Sequence, residues 1–511
     1  MRSGLARAGR ALALSVPPLA ALLWVLGGSA YYCDSDYYWH IALGRILAGG
    51  GSLTGPDCLS WAAEQQGLVY RDHSWLADLL LYRLSLLGQT EIPGAVVYLA
   101  VCLGALAFLL FALWGRGLLQ RGSLAHRLTD WAVIAAVWLC LRYTWGNPRP
   151  QQLALVLLAP ALWLLQKAWQ QPRGHVWLVL PVLALLWANL HGGSLPLLLG
   201  ITGLYWVLAL LPPFQWGNVR HRPGGPARRF ALLLGLELLA GCCNPYGPGL
   251  YGQFFRVNVN SALAGVSEWQ PAAWDNAPAF FVALGLLVLA GLLARRPFAL
   301  EPLVPILLMA GVTLLHVRGA FWFTICLAVF LLRQRPALHR AADRLAQVLP
   351  GLLTRVLRPL LRVVTALALP VVTVVCLGLC VRLAPAAGNN TFDRVFPPEL
   401  VAALEQADPQ RLYTSYNVGG MAIQAGFSSF VDSRAELFTP QMLTDAQIMA
   451  GTRRQSATWS IDAVLDRWQF DAVLLAKYDH ELAASYFSKR TDWRMVYDGP
   501  WYTLFVPVPQ N

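Results

Sequence analysis

Charge is what this chain has least of. Only 13% of its 511 residues are Asp, Glu, Lys or Arg against 57% hydrophobic, and lysine occurs three times beside 36 arginines. Uncharged stretches recur near the ~20 residues that cross a bilayer, which excludes an ordinary soluble globule. The chain has no G-x-G-x-x-G, Walker loop, H-E-x-x-H or nucleophile elbow, so the sequence signals for phosphate cradles, zincins and α/β-hydrolases are missing. The nine cysteines match no zinc spacing. Only Cys33 and Cys58 fall in a predicted outer loop, where an oxidising compartment would allow a disulfide; the alternative is two unlinked thiols. No convincing internal repeat is present.

What is there is a series of apolar spans, placed at about 11–30, 92–115, 128–145, 151–168, 176–191, 194–212, 230–243, 278–294, 302–315, 320–333 and 361–384. With the N-terminus in the cytoplasm, basic residues favour the inner segments about threefold over the outer ones, as the positive-inside rule requires. The formal +12 is then mostly anchoring charge, spread over separate short loops, and nucleic acid is not an expected partner. The basic start and apolar middle of residues 1–30 imitate a signal peptide, but the many later spans favour a signal anchor. The prediction is an α-helical polytopic membrane protein of about eleven transmembrane helices.

Three parts follow. Residues 1–91 form the first span and a long outer loop with interfacial helices near 36–48 and 75–88; Asp78, Tyr82 and Ser85 make a polar stripe on the second. Residues 92–384 form the remaining bundle. Residues 385–511 carry charges of both signs and read as a small extracytoplasmic α/β domain. Its predicted strands are 411–416, 428–434 and 470–476, with a helix at 460–468 and a hairpin over 493–508.

The polar junctions fall almost entirely on the outer side. Asp34 and Asp36 follow the first span at headgroup height, with Asp36 and His40 one helical turn apart. A partly desolvated carboxylate there suits a general base, and a carboxylate pair could instead hold a divalent ion, Mg or Mn; the bland alternative is the polar end of a span. Arg71 and His73 lie at the end of the same loop. Arg149, and Arg318 with His316, are basic residues on the side that should have few, and arginine's fork suits phosphate; snorkelling is the rival explanation. His191 ends a span before a Gly-Gly return, a place where histidine is commonly structural. Glu268-Trp269 and Trp274-Asp275 offer aromatic faces for a sugar, and the inserts 416–420 and 431–436 lie at predicted strand ends.

DSDYYWHIALGRILAGG (34–50), RDHSWLADLLLY (71–82), NPRPQQLAL (147–155), WANLHGGS (187–194), CNPYG (243–247) and YNVGG with FVDSRAELF (416–438) look like a bacterial group of membrane proteins near the GT-C superfamily of membrane glycosyltransferases. The span order and outer C-terminal domain also resemble that superfamily. The resemblance implies a polyprenyl-phosphate-linked sugar donor, an acceptor hydroxyl on a glycan, lipid or protein, and a site on the outer face of a bacterial inner membrane. Its acidic residue, as catalytic base or metal ligand, would map onto Asp34 or Asp36. Substrate-binding roles are expected for His40, Arg71, His73, Arg149, His191, His316 and Arg318. The chain lacks the His-Pro-Pro motif of protein O-mannosyltransferases and a clear WWD-type motif of oligosaccharyltransferases, so the acceptor does not carry over. The competing readings are a lipid-linked sugar transporter or flippase, and a non-catalytic scaffold of an envelope-assembly complex.

Overall fold

The computed structural model describes residues 7–15, 33–52, 54–88, 91–119, 123–142, 148–171, 173–217, 219–222, 224–258, 267–293, 298–348, 392–451, 460–478 and 481–509. Ahead of the bundle lie α1 (Ser35–Ala48) and α2 (Trp75–Ser85), with the short helix Trp61–Gln65 between them. Asp34 caps α1, its side chain accepting from the Tyr37 amide at 3.3 Å. The two helices cross closely because Gly44 has no Cβ, which would sit 2.1 Å from the Asp78 carbonyl oxygen. Helices were expected near 36–48 and 75–88, and these two lie there.

The bundle comprises α3 (Ile92–Trp114), α4 (Leu124–Arg142), α5 (Gln151–Gln170), α6 (Leu180–His191), α7 (Leu195–Leu210), α8 (Ala227–Gly241), α9 (Gly249–Asn258), α10 (Pro278–Leu293), α11 (Val304–Leu315) and α12 (Ala320–Val348). Proline opens α3, α6, α7 and α11, where its missing N–H costs nothing. Five helical segments are long and apolar enough to cross a membrane: Ile92–Trp114, Leu124–Leu141, Gln151–Gln170, Val176–Leu210 and Val317–Arg344. Pro278–Leu289 and Val304–Leu315 are shorter apolar helices. Val176–Leu210 doubles back at the one-turn 3₁₀ segment Gly192–Ser194. Both arms then pack on α8: Arg229 lies 5.3 Å over the Trp177 ring, and Phe230 is 5.8 Å from Tyr205. The predicted first span beyond residue 15 and the predicted last span, 361–384, lie outside the described residues, so the expected total of eleven does not follow from the five.

The C-terminal region carries a four-stranded sheet in the order β1 (Leu412–Tyr413), β2 (Ala472–Ala476), β4 (Tyr502–Pro507), β3 (Trp493–Asp498), with β1 parallel to β2 and the rest antiparallel. The predicted helix and hairpin are present as Ile461–Trp468 and β3–β4. Residues 428–434 are not the predicted strand; their one ladder contact is a bridge from Ser429 to Ser60. Asp432 takes the Arg434 amide on its own carboxylate at 2.9 Å, a local bond that competes with strand pairing.

This region and the segment carrying α1 and α2 share one core, in which Trp39, Trp61 and Tyr70 pack among Tyr413, Phe430 and Phe438. Trp61 Nε1 donates to the Leu412 carbonyl at 3.0 Å and Ser60 Oγ to that of Phe430 at 2.9 Å. Fully buried Arg434 grips Asp432 and Asp57 together, with Nη2 at 2.7 Å from Asp432 Oδ2 and 3.1 Å from Asp57 Oδ2. Gly420 passes against α1: its amide donates to Ser35 Oγ at 2.9 Å, and a Cβ there would fall 2.0 Å from the Ser35 carbonyl oxygen. The C-terminal domain is thereby fixed over the start of α1.

Candidate active site

At the N-terminus of α1, three carboxylates gather on one guanidinium. Arg149, just before α5, places Nη2 2.7 Å from Asp34 Oδ2 and 3.0 Å from Asp36 Oδ2. Its Nη1 lies 3.3 Å from Glu268 Oε2. The other Glu268 oxygen is 3.9 Å from Arg318, whose guanidinium rests 4.4 Å above the Trp269 ring. The Pro148 and Pro150 that flank Arg149 break the helix there, and Gln152 Oε1 accepts the Arg149 amide at 2.8 Å. His316 Nδ1 lies 2.9 Å from the Trp269 carbonyl oxygen and fastens the Glu268–Trp269 turn to the loop bearing Arg318.

The charges do not balance: three carboxylates face two arginines. Burial is the main cause that pushes the Asp36 carboxyl up to about 6; Arg149 opposes it, Asp34 and Glu268 add to it, and the Ser433 hydroxyl lowers it. Glu268 behaves oppositely, since Arg318 and Arg149 together outweigh its burial and hold it below the usual range. Asp36 is thus the carboxyl of this group poised to exchange a proton near neutral pH, while Glu268 stays an anion. Ser433, from the C-terminal domain, donates to Asp36 Oδ1 and accepts from Trp39 Nε1 at 2.9 Å.

A cavity of about 1270 Å³ opens directly from this cluster. Asp34, Arg149, Glu268 and Arg318 line one end; its walls are apolar side chains of α4, α10 and α12, including Leu139, Val282, Leu286 and Leu327. Asp36 is absent from that lining and looks instead toward Ser433 and the C-terminal domain. The cluster therefore lies between an apolar chamber among the helices and the C-terminal region that carries Ser433.

The remaining expected site residues divide. Arg71 does not join the arginines; its Nη1 donates to the Gly249 carbonyl at 3.3 Å. That carbonyl belongs to the first residue of α9. His40 Nδ1 lies 2.8 Å from Asp78 Oδ1, and burial pushes its ring down to about 3. His73 Nδ1 is 3.1 Å from Glu436 Oε1, and Tyr70 OH donates to the same oxygen at 3.2 Å. Against burial, the Glu436 carboxylate raises His73, and His73 in turn draws Glu436 down to about 2. Asp72 is pushed up to about 8, by burial first and Asp78 second. His191 Nδ1 meets Ser194 Oγ at 2.6 Å, with its ring 5.3 Å from that of His73. Of these histidines, His73 links the segment carrying α1 and α2 to the C-terminal region, through Glu436.

From the sequence, Glu268 stood out only beside Trp269 as a sugar-facing pair, and Ser433 only as one residue of the 431–436 insert. Their partners are 119 and 397 residues away, and no local pattern signals such contacts. The divalent ion considered for Asp34 and Asp36 does not fit the arrangement. Both carboxylates share one Arg149 nitrogen, which occupies the cation's place, and no group of three or more His, Cys, Asp or Glu able to hold a metal occurs among the described residues. Cys33 and Cys58 are unlinked thiols, one buried and one exposed.

No protein-family model matches the chain, and no curated protein matches it. Among solved structures it is similar to a crystal structure of the Archaeoglobus fulgidus oligosaccharyltransferase, tethered by a disulfide bond to an acceptor peptide containing the NVT sequon. The two are 13% identical, with 99% of this chain and 74% of that one covered, at a TM-score of 0.36. A superposition that loose carries no argument about fold or chemistry.

Proposed function

We propose that this chain is a membrane glycosyltransferase that moves a sugar from a polyprenyl-phosphate-linked donor to an acceptor hydroxyl at the outer face of a bacterial inner membrane. The observation that carries the proposal is the junction of an apolar cavity with a cluster of two arginines and three carboxylates at one end. An isoprenoid chain suits the cavity, and the phosphate suits its charged end. Arg318 is the cation open to that phosphate: its guanidinium is one-third exposed, and its one described ion pair is long, at 3.9 Å. Arg149 is engaged by carboxylates on every side and holds Asp34, Asp36 and Glu268 in place.

The acceptor approaches from the opposite side, under the C-terminal domain. Asp36 takes the proton from its hydroxyl, the new bond forms to the anomeric carbon, and the bond from that carbon to the phosphate oxygen breaks. The electron pair leaves with the polyprenyl phosphate, whose charge Arg318 meets. Ser433 positions Asp36, with one carboxylate oxygen held and the other turned to Arg149. The test is transfer by the purified chain from a panel of polyprenyl-phosphate sugars, followed as glycosylated acceptor and released polyprenyl phosphate in equal amounts. Folded protein that binds no donor in the panel and releases no polyprenyl phosphate would count against the reading.

A further inference from the structure

The cavity has a second charged end, which the proposed reaction does not use. Its lining continues along α12 past Leu331 and Gln334 to Arg340 and Arg344. Arg318 and Arg340 are 22 positions apart, so the helix carries the lining up to about 33 Å from the carboxylate cluster, close to the ~30 Å hydrocarbon thickness of a bilayer. Arg340 and Arg344 are one turn apart and both exposed.

Their neighbours on α12 are all matched. Arg333 lies 3.4 Å from Glu301, and Arg335 lies 3.6 Å from Asp130. His339 also meets Asp130, at 2.7 Å, and Asp343 meets His126 at 2.8 Å. Arg340 and Arg344, the two that face the cavity, make no ion pair among the described residues. Residues 349–391, which follow α12, contain neither Asp nor Glu to supply one. We infer that this end of the cavity is a binding site for an anionic glycerophospholipid of the leaflet opposite the carboxylate cluster, its phosphate held by Arg340 and Arg344 and its acyl chains laid against Leu331 and Leu338. Guanidinium forks match a phosphodiester, and a leaflet rich in anionic lipid supplies it. Gln334 is the one polar side chain beside Leu331 and Leu338, so the apolar wall suits acyl chains and offers no path for a headgroup to travel the length of the cavity.

This site stands apart from the proposed transfer reaction, and its test uses no sugar donor. Purified full-length protein in mixed micelles is titrated with phosphatidylglycerol and with phosphatidylcholine of the same chains, and bound lipid is counted by native mass spectrometry. Wild type is expected to hold one phosphatidylglycerol in preference to phosphatidylcholine. At about a factor of five per arginine, Arg340→Gln with Arg344→Gln should weaken phosphatidylglycerol about 30-fold and leave phosphatidylcholine unchanged. Ala337→Trp, which puts a ring into the cavity wall and keeps both arginines, should also lose the bound lipid. Should the double variant fold poorly, each single substitution carries the test at about fivefold. Equal retention by wild type and the arginine variants would overturn the inference. So would full retention by folded Ala337→Trp, because attraction of lipid to surface charge needs no cavity. Lipid binding that holds while every donor fails would reject the transferase and leave this site standing.

Discussion

Replacing Arg149 by glutamine removes the one group that draws three carboxylates together. The consequence can be worked out for Asp36, whose carboxyl sits at about 6 with Arg149 opposing the rise due to burial. Loss of an opposite charge at 3.0 Å shifts a carboxyl up by about 1–3 units, so the Asp36 value should move to between about 7 and 9. At pH 7 the fraction able to accept a proton then drops from about nine-tenths to between about one-half and one-hundredth. The assay is kcat/KM for sugar transfer between pH 5 and pH 9. Wild type should rise through pH ~6 and level off, whereas Arg149→Gln should be about 2- to 100-fold slower at pH 7 and regain much of the loss as the pH increases. Arg149→Lys keeps the charge and should keep the wild-type profile, at reduced rate because the fork is lost. A slow Arg149→Gln enzyme whose profile had not moved would refute the reasoning, since Arg149 would then act on substrate and not through Asp36.

Three other outcomes follow from the same geometry. Arg434→Met strands Asp57 and Asp432 in a buried site without their cation, and should cost about 3–5 kcal/mol, seen as loss of the C-terminal domain's cooperative unfolding or as its early proteolysis. The His73–Glu436 pair should stabilise most between the ordinary values of 4.5 and 6.5. Glu436 is drawn down to about 2, so its contribution is present above 4.5 and fades as the pH falls toward 2; His73 is raised, so its part is complete below 6.5 and fades as the pH climbs through the raised value. Denaturant unfolding of wild type and Glu436→Gln, carried from well below pH 4.5 to well above pH 6.5, should show the largest gap between those values, and a gap that stays constant throughout would contradict the pairing. Arg71→Gln, whose side chain is turned to the Gly249 carbonyl, should change transfer by less than about threefold, about what one weak hydrogen bond outside the site is worth.

Much of this arrangement was legible because membrane topology makes misplaced residues conspicuous. Arg149 and Arg318 stood out as cations on the side that should have few, and both converge on the cavity's charged end. Asp34 and Asp36 stood out as acids at a helix start, and the α1 cap follows from that chemistry. Arg71 shared the arginine argument and fails it, because only the path of the loop decides which way a side chain turns. The strand expected at 428–434 failed for a related reason: Val431 and Phe430 gave it an extended look, yet Asp432 and Arg434 are spent on Asp57 and on each other. Glu268 and Ser433 became visible only once distant segments were brought together, since a carboxylate joining two arginines carries no mark in the sequence.

The central claim is that Asp36 is the base and that Asp34 only orders Arg149. The direct measurement is transfer by purified Asp36→Asn and Asp34→Asn beside wild type, with donor binding measured on the same samples. The account predicts that Asp36→Asn binds donor and forms at least 100-fold less product, the span general-base removal typically reaches, about 10²–10⁴-fold. Asp34→Asn should lose rate more modestly and move the acid limb below pH ~6, because the Asp34 charge adds to the rise of the Asp36 carboxyl. Folded Asp36→Asn turning over at the wild-type rate would contradict the account outright.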